Sequence, residues 1–218
     1  MIKKASTSKR GFTLAETLIT LTIIGVVMAL MLRAINRVNP DKDKIQFIKT
    51  YHALEMVIAD VINDPQNYDQ AMYTDSELAE MDANDIHVDF RYAPYASAKV
   101  VYVDSSGAQQ TKSSLSQSDA VCYFAADRIN TIGGVSCDSN PETGNMKLST
   151  GVCLYNMSGV SNTGQLDAVI NPNCDGASNG YVVRILRDGK MTVPSTADGY
   201  SNQAKAFSWM QSQTQLND

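Results

Sequence analysis

From Lys9 to Leu32 the chain reads Lys-Arg-Gly-Phe-Thr-Leu-Ala-Glu and then runs on as a nearly unbroken apolar stretch. As a helix rising 1.5 Å per residue, Phe12 to Leu32 would span about 32 Å, enough to cross a hydrocarbon core of roughly 30 Å. The strongly polar residue inside it is Glu16. Thr13, Thr17, Thr20 and Thr22 can return their hydroxyls to helix carbonyls. An ionisable side chain in hydrocarbon costs roughly 2.5–3.5 kcal/mol on insertion scales, so Glu16 calls for a partner. Lys3, Lys4, Lys9 and Arg10 precede the stretch and argue for an N-terminus that stays in the cytoplasm. Arg33 and Arg37 on the far side weaken that asymmetry without reversing it.

Gly11-Phe12-Thr13-Leu14-Ala15-Glu16 resembles the processing site of the type IV pilin-like family, the pilins and pseudopilins. The resemblance covers about Lys9 to Leu32. It implies a leader from Met1 to Gly11, a scissile Gly11–Phe12 bond cut by a prepilin peptidase, and N-methylation of the new terminal Phe12. It also implies an assembly role for Glu16, the fifth residue of the mature chain. Gly25 matches a glycine common in these helices. Many members carry a proline near the end of the span; this chain has Arg33 there and its first proline at Pro40. Two other readings fit less well. A secretory signal has an apolar core of about 7–15 residues and a small-x-small site, whereas this run is longer and ends in Leu-Arg. A span that is never cut leaves Glu16 unexplained.

The 218 residues suit one ordinary domain plus an anchor helix. The formal charge of −5 includes the leader cations, so the rest is more acidic still. That argues against nucleic-acid binding, which needs basic surface to displace phosphate counterions. Cys122, Cys137, Cys153 and Cys174 are widely spaced, with no Cys-x-x-Cys pair and no histidine nearby. Two disulfides formed in an oxidising compartment fit better than a zinc site or four buried thiols. Three pairings are possible.

Asn39-Pro40-Asp41 reads as a helix start or as a kink in one long helix. Ile45 to Ile62 is helical in pattern, with Phe47, Tyr51, Leu54, Ile58, Val61 and Ile62 on one stripe. Ile45, Ala53, Met56 and Ala59 form a weaker apolar patch on the other side, suited to a neighbouring helix in a filament or to scattered surface positions. Asn63-Asp64-Pro65 stops the helix. A short helix is expected at Asp75 to Met81. Alternation predicts a half-buried strand from Ile86 to Tyr92. Further strands are expected at Lys99–Val103, Ala120–Ala125 and Gly151–Tyr155. Tyr181–Leu186 and Met191–Val193 read as a hairpin closed by a tight two-residue turn at Asp188-Gly189. The tail from Gln211 to Asp218 is expected to fray.

No nucleophile elbow, phosphate loop, His-Glu-x-x-His pair or dinucleotide fingerprint is present. His52 and His87 suit surface positions. Asp167, Asp175 and nearby asparagines lack the spacing of a calcium loop. Asn156-Met157-Ser158 fits the glycan acceptor pattern. The residues therefore name no catalytic, cofactor or metal site.

The expected architecture is α+β. A long N-terminal helix, membrane-spanning over 12–32 and amphipathic over 33–64, packs on a small antiparallel sheet within a disulfide-stapled domain at 65–218. The resemblance implies a structural subunit of a pilus or of a secretion-type pseudopilus, not an enzyme. It would sit in the inner membrane as a single span and then join an extracytoplasmic or cell-surface filament. The implied partners are the prepilin peptidase, other pilin-like subunits, the inner-membrane assembly machinery and, before assembly, membrane lipid. The alternative is a monomeric, membrane-anchored binding module.

Overall fold

The computed structural model describes residues 14–38, 41–94, 98–137, 146–159 and 164–214. The chain divides into two compact units, Met1–Asp41 and Lys42–Asp218. Helix α1, Leu14–Val38, belongs to the first. The expected passage from one helical half to the other falls at Asn39-Pro40, outside the described residues; helix α2 follows as Lys42–Asn63.

The second unit is built on α2. Phe47, Thr50, Tyr51, Leu54, Val57, Ile58 and Val61 recur at three- and four-residue spacing and are all buried. Asp64-Pro65 ends the helix as the sequence predicts. The 64–94 region then carries α3, Asp75–Ala83, whose N-terminus is closed by a capping box between Thr74 and Glu77. A hairpin, β1 (Val100–Val103) and β2 (Gln109–Lys112), precedes α4, Ala120–Arg128. Five strands follow: β3 Met146–Lys147, β4 Cys153–Tyr155, β5 Leu166–Asn171, β6 Tyr181–Ile185 and β7 Met191–Thr192. They lie side by side in chain order, every neighbour antiparallel. Helix α5, Gln203–Thr214, closes the fold.

One face of the meander carries Leu154, Leu166, Ala168, Ile170, Tyr181, Val183 and Ile185, all in the main core with the buried stripe of α2. Phe47 sits among aromatic edges, 5.4 Å from the Tyr181 ring and 5.8 Å from Trp209. Tyr51 donates from its hydroxyl to the Met191 carbonyl at 3.0 Å. Burial, with the Glu55 carboxylate nearby, pushes the Tyr51 phenol up to about 12. Gln203 is 2 % exposed, and its amide meets both Val182 N–H and Val182 C=O. It takes the place of a strand partner that β7, pairing only Arg184 and Ile185, does not supply.

Four expectations are corrected. Ala120–Ala125 is the start of α4, not a strand. Ala120 through Ala126 are buried on every side, so the run has no polar face to reveal its period. A turn leads into it, with Ser116 N–H donating to the Asp119 carboxylate at 2.8 Å. Ile86–Tyr92 is not a strand either. Ile86, Val88 and Phe90 are buried as alternation predicts, yet Asp89 between them is buried too. Arg91 N–H and Tyr92 N–H fold back onto Asp89 and bend the chain. The β6–β7 turn is a three-residue loop. Leu186 and Lys190 close it, and of Asp188 and Gly189 only the glycine has positive φ, at 79°. Gln211–Thr214 belongs to α5.

Candidate functional site

Every described side chain of α1 from Leu14 to Met31 is exposed, and the stretch is long and apolar enough to cross a membrane. The threonine hydroxyls are used inside the helix. Thr17 donates to Leu14 C=O at 2.9 Å, Thr20 to Glu16 C=O at 3.0 Å, and Thr22 to Ile19 C=O at 2.8 Å. Such back-bonding lets a hydroxyl sit in an apolar medium without water. Glu16 lies in the first described turn. Gly11 and Phe12, the expected cleavage and methylation residues, lie outside the described residues.

Residues 6–32 match the family model of the prokaryotic N-terminal methylation motif. The N-terminus is that of a type IV pilin-like precursor. No curated protein and no solved structure matches the chain. The motif of a pilin-like precursor implies processing by a prepilin peptidase and assembly with pilin-like subunits, in a family whose members are structural. The apolar helix fits a single-pass, membrane-anchored protein.

The second unit pairs Cys122 with Cys137 and Cys153 with Cys174. The first bond ties α4 to the segment after it. The second ties β4 to the turn leaving β5. Asn171 shapes that turn: it is 1 % exposed and its side-chain oxygen accepts from Asn173 N–H and Cys174 N–H. Its amide donates to the Asp175 carboxylate and the Gly176 carbonyl. Register places Asn171 directly opposite Cys153, so a return of three residues brings Cys174 to its partner. The choice among pairings is thus made by strand register, which cysteine spacing does not encode.

Other flagged residues are engaged elsewhere. Asp167 holds Arg184 through two hydrogen bonds of 2.8 and 2.9 Å, and this pairing raises the Arg184 pKa. Asp175 accepts from Asn171. Among the described residues no three His, Cys, Asp or Glu side chains converge as metal ligands. His52 is exposed, 3.0 Å from Glu55, and His87 is exposed. In the glycan acceptor pattern Ser158 is 1 % exposed and the Asn156 amide donates to the Tyr200 hydroxyl.

On the outer side of α2, Ile45 and Met56 are exposed, at 38 % and 71 %. Ala53, Met56 and Ala59 line an open groove of about 790 Å³ between α2 and the end of α4. The sequence reading missed an ionic clasp built on one buried carboxylate. Asp89, fully buried, accepts from Arg91 Nε at 2.8 Å, and Glu80 accepts from Arg91 Nη2 at 2.8 Å and Arg187 Nη1 at 3.2 Å. These bonds hold the Arg91 guanidinium well above its ordinary pKa. With Phe90 N–H donating to Arg187 C=O, they pin the 64–94 region to the β6–β7 turn. The only trace in sequence is a charged Asp-Phe-Arg inside an apolar alternation.

Proposed function

We propose that this chain is a structural subunit of a type IV pilus or a type II secretion-like pseudopilus, matured by cleavage after Gly11 and assembled through its N-terminal helix. The observation that carries the reading is the methylation motif at residues 6–32, running into an apolar helix with no buried side chain from Leu14 to Met31. The uncut precursor waits in the membrane with its leader in the cytoplasm. Cutting at Gly11 frees the Phe12 amine, which is then methylated. That amine meets the Glu16 carboxylate of a neighbouring subunit where the dielectric is low, so register decides whether both charges are compensated. Apolar contact between spanning helices supplies the cohesion.

The test is expression in the native cell, with sheared filaments separated from membranes and N-termini read by mass spectrometry. The wild-type protein should begin at methylated Phe12. Gly11→Val should accumulate uncut in the membrane, because a side chain before the scissile bond blocks the peptidase. Glu16→Ala should be cut, keep both disulfides and be absent from filaments, since it leaves a neighbour's amine uncompensated at several kcal/mol. Wild-type recovery of Glu16→Ala in filaments refutes the ion pair. A leader retained on the wild-type protein refutes processing and favours a membrane-anchored module.

A further inference from the structure

The sheet has a second face. On it lie Asp167 of β5 and Arg184 of β6, directly opposite each other in the register, and the buried Val182. The segment after β7 walls this face, leaving an open recess of about 410 Å³. The recess is lined by Asn156, Asp167, Arg184, Thr196, Asp198 and Tyr200, with Val182 and Ala197. Its volume falls in the range of small-molecule pockets. Its chemistry differs from that of the α2 groove, where Ile48, Ala53, Met56, Val57, Ala59 and Ile129 make half of the lining apolar.

Three observations make the recess a held arrangement of polar groups. Asp167 and Arg184 fix each other by two hydrogen bonds across adjacent strands, and their side chains remain 40 % and 33 % exposed. Asn156 has left-handed backbone, φ 55°, a conformation uncommon for a non-glycine residue, and its amide donates to the Tyr200 hydroxyl at 3.2 Å. The Thr196–Tyr200 wall is tied down just before it begins and is closed by a turn of its own. Gln203 donates to Pro194 C=O at 2.9 Å, and Tyr200 N–H donates to Ala197 C=O at 3.1 Å. Groups already immobilised lose little freedom when a ligand arrives.

The mixture of groups selects the ligand. Two carboxylates, a guanidinium, an amide and two hydroxyls stand around one small volume. A free anion meets the charge of Asp167 and Asp198, and a free cation meets that of Arg184. A neutral molecule whose adjacent hydroxyls each donate and accept can use carboxylate and guanidinium together, side by side. We propose that this recess binds a neutral sugar of about one residue, independently of whether the chain enters a filament.

The test uses the full chain in a detergent without a sugar headgroup. Saturation-transfer NMR is run with methyl α-glucoside, methyl β-galactoside and N-acetylglucosamine, and with inorganic phosphate and calcium chloride as ionic probes. At least one glycoside should bind saturably. Thr196→Ala and Asp198→Ala, both at exposed positions, should each weaken it at least tenfold with the melting temperature unchanged. Failure of all three glycosides to saturate overturns the proposal. So does sugar binding that both variants leave intact, which would place it elsewhere, and so does saturation by phosphate or calcium alone. None of these outcomes bears on cleavage at Gly11.

Discussion

Helices α1 and α2 are of similar length, 25 and 22 residues, and are answers to two different solvents. In α1 apolar side chains surround the axis, the one carboxylate lies in the first turn, and nothing from Leu14 to Met31 is buried within the chain. In α2 lysine, aspartate and glutamate alternate with a stripe that forms the centre of the core. Helices this short gain most of their stability from what covers their apolar face. For α2 the protein supplies the cover; for α1 the fold leaves it to lipid or to other subunits. One chain thus carries a domain that is complete and a helix that is not.

The largest effect should come from cutting into the complete half. Phe47→Ala removes a fully buried ring held among Tyr51, Tyr181 and Trp209. Such truncations cost about 3–5 kcal/mol, which for a domain of this size lowers the melting temperature by roughly 6–20 °C. Leu21→Ala in α1 should leave the melting of the second unit unchanged by circular dichroism. An equal fall for Leu21→Ala would break the separation of the two halves.

The next effect concerns the staples. Loops of 15 and 21 residues are close enough in length that chain entropy assigns each disulfide about 3 kcal/mol. Cys122→Ser with Cys137→Ser, and Cys153→Ser with Cys174→Ser, should therefore destabilise the domain to a similar degree in denaturant titrations. Both pairs should insert into membranes like the wild type. A pair that melts like the wild type would show its loop to be held by other contacts.

The smallest effect is a pH dependence in the β1–β2 turn. Asp104 accepts from Ser106 N–H, the Ser106 hydroxyl, Ala108 N–H and the Gln110 amide. These donors hold its carboxyl down at about 2, below the ordinary 3.8. Because the folded pKa is depressed, the stabilisation is full above about pH 4 and is lost as pH falls toward 2. Amide protection factors in the hairpin, which remove the intrinsic pH dependence of exchange, should fall over that window, and Asp104→Asn should flatten the dependence. Unchanged protection factors between pH 4 and 2 would show that the turn is held by its backbone alone.

The same contrast governs what could be read from sequence. Helix α1 is legible because one medium surrounds it and composition alone describes it. Helix α2 is legible because half of it faces water, so its period shows. Helix α4 was not, since complete burial erased the period and left an apolar run that suits a strand equally well. Strand β5 was missed because Asp167 breaks into its apolar residues to pair with Arg184 on β6 and Asn171 ends it to shape the following turn. Helix α5 was missed because, in a sequence rich in glutamine and serine, its anchors are Ala206, Trp209 and Gln203. The methylation motif at residues 6–32 is local and is legible without any of the fold. The polar recess joins Asp167 to Arg184 and Asn156 to Tyr200, partners that only strand register and loop closure bring together.

The Gln203 clasp has a consequence for life in a crowd. An open β-strand edge is a template on which another chain can add itself, and it invites aggregation wherever copies are held at high density. By occupying both hydrogen-bonding groups of Val182 with a side chain, α5 closes the part of β6 that β7 leaves uncovered there. For copies gathered in a membrane, as proposed above, one place where a foreign strand could add to the sheet is thereby closed.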